Sequence, residues 1–264
     1  MSASVALAIL GGSTGASTAT SSPALALATL RRAATAGEEA KGTARLAKDP
    51  EVKLALSRFT EGIARAKDVN AALRDPRVMN VLLPALGLPD AVEQVGLAQR
   101  ALTADPKAAD SLLTRLSDTR WKSAATTLNL SARGMDALRD PAVQKKLTEG
   151  FLSYKWRTSQ DKDATGVSDA LYFEQRVATG KALSVWEVLG DASLRRLVTG
   201  ALGLPDSLAI QSVETQARAV AWRLDLSKIT DTKSAAKIAE RYVMSAASAN
   251  GGGTVSSPLL SLFT

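Results

Sequence analysis

The chain has no cysteine and no histidine among its 264 residues. Without cysteine there can be no disulfide framework, and without either residue no Cys- or His-ligated zinc site. Serine–histidine–aspartate and cysteine–histidine nucleophilic systems are excluded for the same reason. The commonest general base near neutral pH is missing too. Catalysis would have to run on carboxylates, lysine or tyrosine. Aromatics make up only 4% of the residues, so the interior must be built from aliphatic and alanine side chains, which suits close-packed helices. No stretch reaches the roughly 20 apolar residues of a bilayer-spanning helix, and no membrane span is expected. Strand signals are weak: β-branched residues are scattered and no alternating run is bounded by tight turns.

Charge of one sign is not concentrated anywhere. The formal net charge is +7, yet the longest basic runs are the pairs Arg31-Arg32, Lys145-Lys146 and Arg195-Arg196. Acids lie between them, so the pattern reads as a solvated surface rather than a nucleic-acid stripe. Residues 1–10 hold a short apolar run, but the first positive charge is Arg31. The basic start of a secretory signal is missing, and no cleaved signal peptide is expected.

What is present is repetition. Ala-Leu-Gly-Leu-Pro-Asp occurs at 85–90 and again at 201–206. Upstream, Phe59-x-x-x-Ile63-Ala64-x-x-Lys67 matches Phe173-x-x-x-Val177-Ala178-x-x-Lys181, an offset of 114. Asp75 matches Asp191 at an offset of 116, so the second copy carries a two-residue insertion. Asp118-Thr119 is echoed by Asp231-Thr232. A duplicated helical unit follows.

Helix starts are marked by Asp-Pro at 49–50, 75–76, 105–106 and 140–141. Aspartate accepts from a free helix N–H, and proline at the first helical position loses nothing by lacking one. After Asp49-Pro50, the residues Val52, Leu56, Phe59, Ile63 and Ala66 form one apolar stripe. The hexapeptide is helix punctuation. Gly87 closes one helix in the left-handed conformation, Leu88 folds back, Pro89 blocks continuation, and Asp90 is expected to cap the next helix. Residues 202–206 are expected to repeat this. Pro84, where the second copy has Gly200, is expected to bend or shorten its helix.

The predicted fold is all-α, an internally duplicated helical bundle with flexible N- and C-terminal segments. Its parts are a low-complexity segment 1–22, a first repeat with its leading and connecting helices at 23–156, and a loop at 157–168. A second repeat at 169–247 and a tether with an apolar tail at 248–264 complete it. Leu259, Leu260, Leu262 and Phe263 follow a Gly-rich spacer. They read as a partner-docking peptide or as a strap onto the chain's own core.

No site with a chemical signature emerges. Gly11-Gly12-Ser13-Thr14-Gly15 lacks the Gly-Lys-Ser/Thr of a phosphate loop and reads as linker. Ser234-x-x-Lys237 has serine–lysine spacing without its companion motifs. Asp161 and Asp163 lack the further ligands of a calcium loop; position 172, where the pattern needs Glu, is Tyr. Tyr154-Lys155-Trp156-Arg157 interleaves aromatics with bases, as single-strand binders do, but Tyr154 continues a core stripe from Val143, so core is the preferred reading. Trp121, Trp186 and Trp222 are the remaining tryptophans. The expectation is a non-enzyme without cofactor or metal, with protein partners and no small-molecule substrate, and able to form oligomers. A basic helical module binding nucleic acid is the alternative.

Taken together, the duplication, the Phe59-x-x-x-Ile63-Ala64-x-x-Lys67 segment, the Ala85–Asp90 turn and Tyr154-Lys155-Trp156 resemble domain-of-unknown-function family 1217. These are helical bacterial proteins, mostly alphaproteobacterial and often encoded among flagellar genes. The resemblance covers roughly 49–247. It implies a flagellum-associated structural or assembly protein, cytoplasmic or exported to the flagellum without a cleaved signal, and brings no catalytic residues. The missing cysteines and the polar start suit flagellar export. Residues 1–22 depart from axial proteins in lacking a long heptad; any such pattern begins at Leu25.

Overall fold

The computed structural model describes residues 22–250, and all regular structure among them is helical. The leading elements are α1 (Pro23–Ala33) and α2 (Glu38–Leu46). The first matched segment then gives α3 (Pro50–Arg65), α4 (Val69–Arg74) and α5 (Pro76–Ala85). A 3-10 turn at Pro89–Ala91 leads to α6 (Val95–Thr103), α7 (Leu112–Arg115) and α8 (Arg120–Leu128). Two short helices, α9 (Leu130–Arg133) and α10 (Met135–Arg139), lead to the long α11 (Pro141–Gln160). The second matched segment gives α12 (Val167–Ala178), α13 (Val185–Gly190) and α14 (Ala192–Ala201). A 3-10 turn at Asp206–Ile210, then α15 (Val213–Arg223), another 3-10 turn and α16 (Thr232–Asn250) complete the chain.

Local chemistry sets these boundaries. Asp49 accepts from the backbone N–H of Glu51 and Val52 at 2.8 and 3.1 Å, Asp75 from Arg77 at 2.9 Å, and Asp140 from Ala142 at 2.8 Å. Asp191 caps α14 through Ser193 and Leu194. Asp105-Pro106 departs from the rule. Asp105 accepts from Lys107, but only a turn follows, because Lys107-Ala-Ala-Asp offers no large apolar side chain to bury.

Both hexapeptides close their helices alike. Gly87 and Gly203 take φ of +76° and +61°. The N–H of Leu88 donates to Leu83 O at 2.8 Å and that of Leu204 to Thr199 O at 2.9 Å. Asp90 and Asp206, however, lie inside the 3-10 turns and cap neither following helix. Gln94 precedes α6 and Ser212 caps α15, because proline starts a tight turn before the chain can re-enter a helix. Pro84 sits inside α5 without shortening it: α5 and α14 are both ten residues long.

Two apolar cores form. The first gathers α3 to α10 and the start of α11 around Phe59, Leu82, Leu102 and Leu138. The second gathers α12 to α16 around Phe173, Leu197 and Val243. The division differs from the expected 23–156 unit. Helix α1 buries Ala26, Leu30 and Ala33 in the second core and packs against α16, where Arg31 donates to Glu240 at 2.7 Å. The expected loop 157–168 shrinks to 161–166. Thr158, Ser159 and Gln160 bond back to carbonyls of Tyr154 and Trp156, so polar residues continue the helix. At its other end, α16 runs past 247 to Asn250. Among the described residues no helix is long and apolar enough to cross a membrane.

Helix α11 joins the cores. Val143, Leu147 and Phe151 belong to the first, while Trp156 is buried in the second. Its indole lies on Gly42 of α2, where an added Cβ would collide with Cδ1 and Nε1 of the ring. Gly42→Ala is therefore expected to lose about 1–3 kcal/mol through overpacking, although alanine is the better helix former. A thermal melt should fall by several degrees; an unchanged or raised Tm would contradict this packing.

Candidate functional site

A dense set of buried polar groups lies where the first turn meets the second core. Arg120, the first residue of α8, is its hub. Its Nη1 donates to Gly87 O at 2.8 Å, and Nε and Nη2 grip Asp118 at 2.9–3.0 Å. The same guanidinium reaches Asp191 at 3.4 Å and Asp90 at 3.6 Å. One arginine thus ties the first hexapeptide to the cap of α14 (Fork-shaped donors suit such multiple pairing).

Asp191 is 2% exposed. It accepts from Tyr172 Oη at 2.8 Å while its other oxygen caps α14. Burial raises its carboxyl above the usual range, and Arg120 and Tyr172 pull the other way. Burial pushes the Tyr172 hydroxyl well up, and the adjacent Asp191 charge adds to this. Burial also acts to lower the Arg120 guanidinium, but Asp118 and Asp191 together outweigh it and hold it charged.

Arg157 of α11 lies over the Tyr172 ring, 4.9 Å from its centroid, and donates to Gln175 Oε1 at 2.6 Å. Burial lowers its guanidinium, and its buried Nε faces no protein acceptor. Gln175 passes the connection to Glu39 of α2 at 3.0 Å. Beside this network, Asp169 takes a two-pronged bond from Arg196 at 2.9 and 3.0 Å and a third from Tyr242 Oη. The space among Gly87, Arg120, Tyr154, Arg157 and Tyr172 is about 30 Å³, room for a water. Apart from Arg157, which rests on Tyr172 and Gln175, the ionised groups here are directed at one another, and this fixes how the two cores sit together.

The residues singled out from sequence go elsewhere. Leu259, Leu260, Leu262 and Phe263 lie outside the described residues, as do Gly11–Gly15. Ser234 Oγ donates to Asp231 at 2.8 Å as part of the start of α16, so it is not directed at Lys237. Asp161 accepts from Ser168 N–H and Asp163 pairs with Arg32. Lys181 pairs with Glu187 at 3.3 Å. Among the described residues no three acids are grouped to hold a metal. Trp121 and Trp156 are core residues, whereas Trp186 is half exposed and Trp222 is 83% exposed. Ile210, in the second turn, is 84% exposed. Neither Arg120 as hub nor this bare turn was visible beforehand. The signal for Arg120 was its place after the echoed Asp118-Thr119, but its partner Asp191 lies far along the chain.

A family of proteins described as of unknown function, DUF1217, has a model that matches residues 85–235. The chain belongs to that family. The match begins at the first hexapeptide and takes in the hub, the second hexapeptide and the start of α16. A crystal structure of a protein from Agrobacterium tumefaciens, solved in a structural genomics programme, is similar in fold. The TM-score is 0.67 at 22% identity, covering 84% of this chain and 93% of that one. No curated protein matches the chain. The likeness extends the all-α architecture to a measured structure and speaks of fold alone.

Proposed function

We propose that this chain is a non-enzymatic structural or assembly protein associated with the bacterial flagellum, working through helical surfaces that bind other proteins. One observation carries the reading. Apart from Arg157, the charges at the junction are directed inward at one another, while large apolar side chains, Ile210 and Trp222 foremost, stand in solvent on the second core. Exposed apolar groups of this size mark protein-binding surfaces more often than they mark reaction sites. Trp222 also carries the Arg223 guanidinium 5.3 Å from its ring, an aromatic–arginine pairing common at interfaces.

The flagellar part of the proposal rests on the family resemblance, through gene neighbourhood. Its partners are then flagellar components, reached in the cytoplasm or by export without a cleaved signal. Deleting the gene and imaging a tagged copy test this directly. Impaired swimming with malformed or missing flagella is the expected result, with the tag at the flagellum or its base. Normal motility with normal filaments in the deletion strain would overturn it.

A further inference from the structure

Three cations from three different helices meet along one groove of the first core. Arg58 lies on α3, Arg77 on α5 and Lys155 on α11, and α5 packs against both of the other helices. The groove measures about 370 Å³, and no carboxylate is among the described residues that line it. Elsewhere in this chain acids stand between bases, so a lining of one sign departs from the general surface. Arg77 spends Nε and Nη2 on Asp75 at 2.9–3.2 Å and keeps Nη1 for a further acceptor. Among the described residues no carboxylate pairs with Arg58 or Lys155. Asp90, next to Pro89 in the chain, faces Arg120 at 3.6 Å instead of the groove.

The floor has another character. Val81 and Phe151 are buried, and Pro89, Val92 and Tyr154 are half-buried. Asn80 and the Tyr154 hydroxyl add uncharged polar groups. Pro89 and Tyr154 also line the small void that holds Arg120 and Arg157. The groove therefore lies against the same turn that the hub holds in place. Its cations come from helices fixed by the core rather than from a loop, so they converge without first having to be ordered.

We infer that this groove binds a small organic anion. A phosphate or carboxylate head is held by Arg58, Lys155 and Nη1 of Arg77, and an apolar body lies against Pro89, Val92 and Phe151. Opposite charge selects the head, and the floor rewards a body that leaves water. Size decides against a larger occupant. Ligand sites run from roughly 300 to 1,000 Å³, and this one is near the lower end, whereas an α-helix with its side chains is about 10 Å across. One ring or a short chain fits. The site is on the first core and Ile210 and Trp222 are on the second, so it is separate from the protein-binding surfaces proposed above and does not depend on the flagellar reading.

Isothermal titration of the purified full chain with phenyl phosphate and with 3-phenylpropionate tests it. At least one is expected to bind with a stoichiometry of one, and which of them binds names the head group. Phenethylammonium, with the same ring and the opposite charge, should not bind. Inorganic phosphate and acetate, heads without a body, should bind about tenfold more weakly or less. Arg58→Glu and Lys155→Glu should each weaken binding about tenfold or more. Lys122→Glu, on α8 and outside the groove, should leave it unchanged. All three positions are exposed, and an unchanged circular dichroism spectrum confirms that each variant folds. Failure of both aromatic anions to bind would overturn the proposal. So would equal binding of phenethylammonium, or a bare head that binds as tightly as its aromatic counterpart. An equal loss in all three variants would assign the effect to net charge and overturn it as well.

Discussion

Arg120→Ala is expected to lose about 3–5 kcal/mol of folding stability, because it strands buried carboxylates that the guanidinium now neutralises. Asp118 and Asp191 have side chains only 16% and 3% exposed, so water cannot replace the lost partner. The bond to Gly87 O disappears as well, and with it the tie between the first turn and α14. Urea titration followed by tryptophan fluorescence measures the loss, as a midpoint shift at constant slope. Arg120→Lys should fall between the two, since it keeps the charge but cannot bond several acceptors at once.

A pH dependence separates this cause from simple loss of packing. Burial already holds the folded Asp191 carboxyl above its ordinary value, and Arg120 restrains that rise. Without Arg120 the folded value climbs further. An acid whose folded value is raised binds its proton more tightly folded than unfolded, so it costs stability above that value and the cost is relieved on acidification. The deficit of Arg120→Ala against wild type should therefore shrink as pH falls from 7 towards the unfolded carboxylate range near 4. A deficit equal at pH 7 and pH 5 would refute the electrostatic account.

Gly150→Ala is the second large expected effect, and its sign is the informative part. In a helix interior, alanine ordinarily gains about 1 kcal/mol over glycine. Gly150, however, sits where α11 crosses α5, and an added Cβ would collide with the carbonyl oxygen of Ala85 and come within 3.3 Å of its Cα. Those are backbone atoms, so no rotamer change relieves the clash and the helices must separate. The expected outcome is a net loss of about 1–3 kcal/mol or more. Substituting Ala85 with glycine should not rescue it, because the obstructing atoms remain. Gly96→Ala in α6 is the control: nothing lies within 4 Å of its added Cβ, and the change should be neutral or stabilising. If both substitutions behaved alike in thermal melts, the close crossing would be wrong.

Flanking chemistry explains which features could be foreseen. Asp49-Pro50, Asp75-Pro76 and Asp140-Pro141 announced helix starts because a cap is made within three residues. Gly87 and Gly203 announced helix ends for the same reason. Asp105-Pro106 misled because a cap without an apolar stripe behind it yields only a turn. Residues 157–160 misled in the opposite sense: Thr158 and Ser159 read as loop but bond to their own helix.

The chain by itself determined the all-α class, the positions of most helix starts and the paired turns, because these depend on contacts between residues a few places apart. It also ruled out every chemistry that needs cysteine or histidine. Tertiary structure alone decided that α1 joins the second core, that Trp156 rests on Gly42, and that Arg120 meets Asp191. Those outcomes depend on which surfaces come together across as many as two hundred residues of chain, and no local pattern encodes that. The same six residues, Ala-Leu-Gly-Leu-Pro-Asp, close a helix the same way twice; only tertiary contact decides that Arg120 bonds the first of them, at Gly87 O.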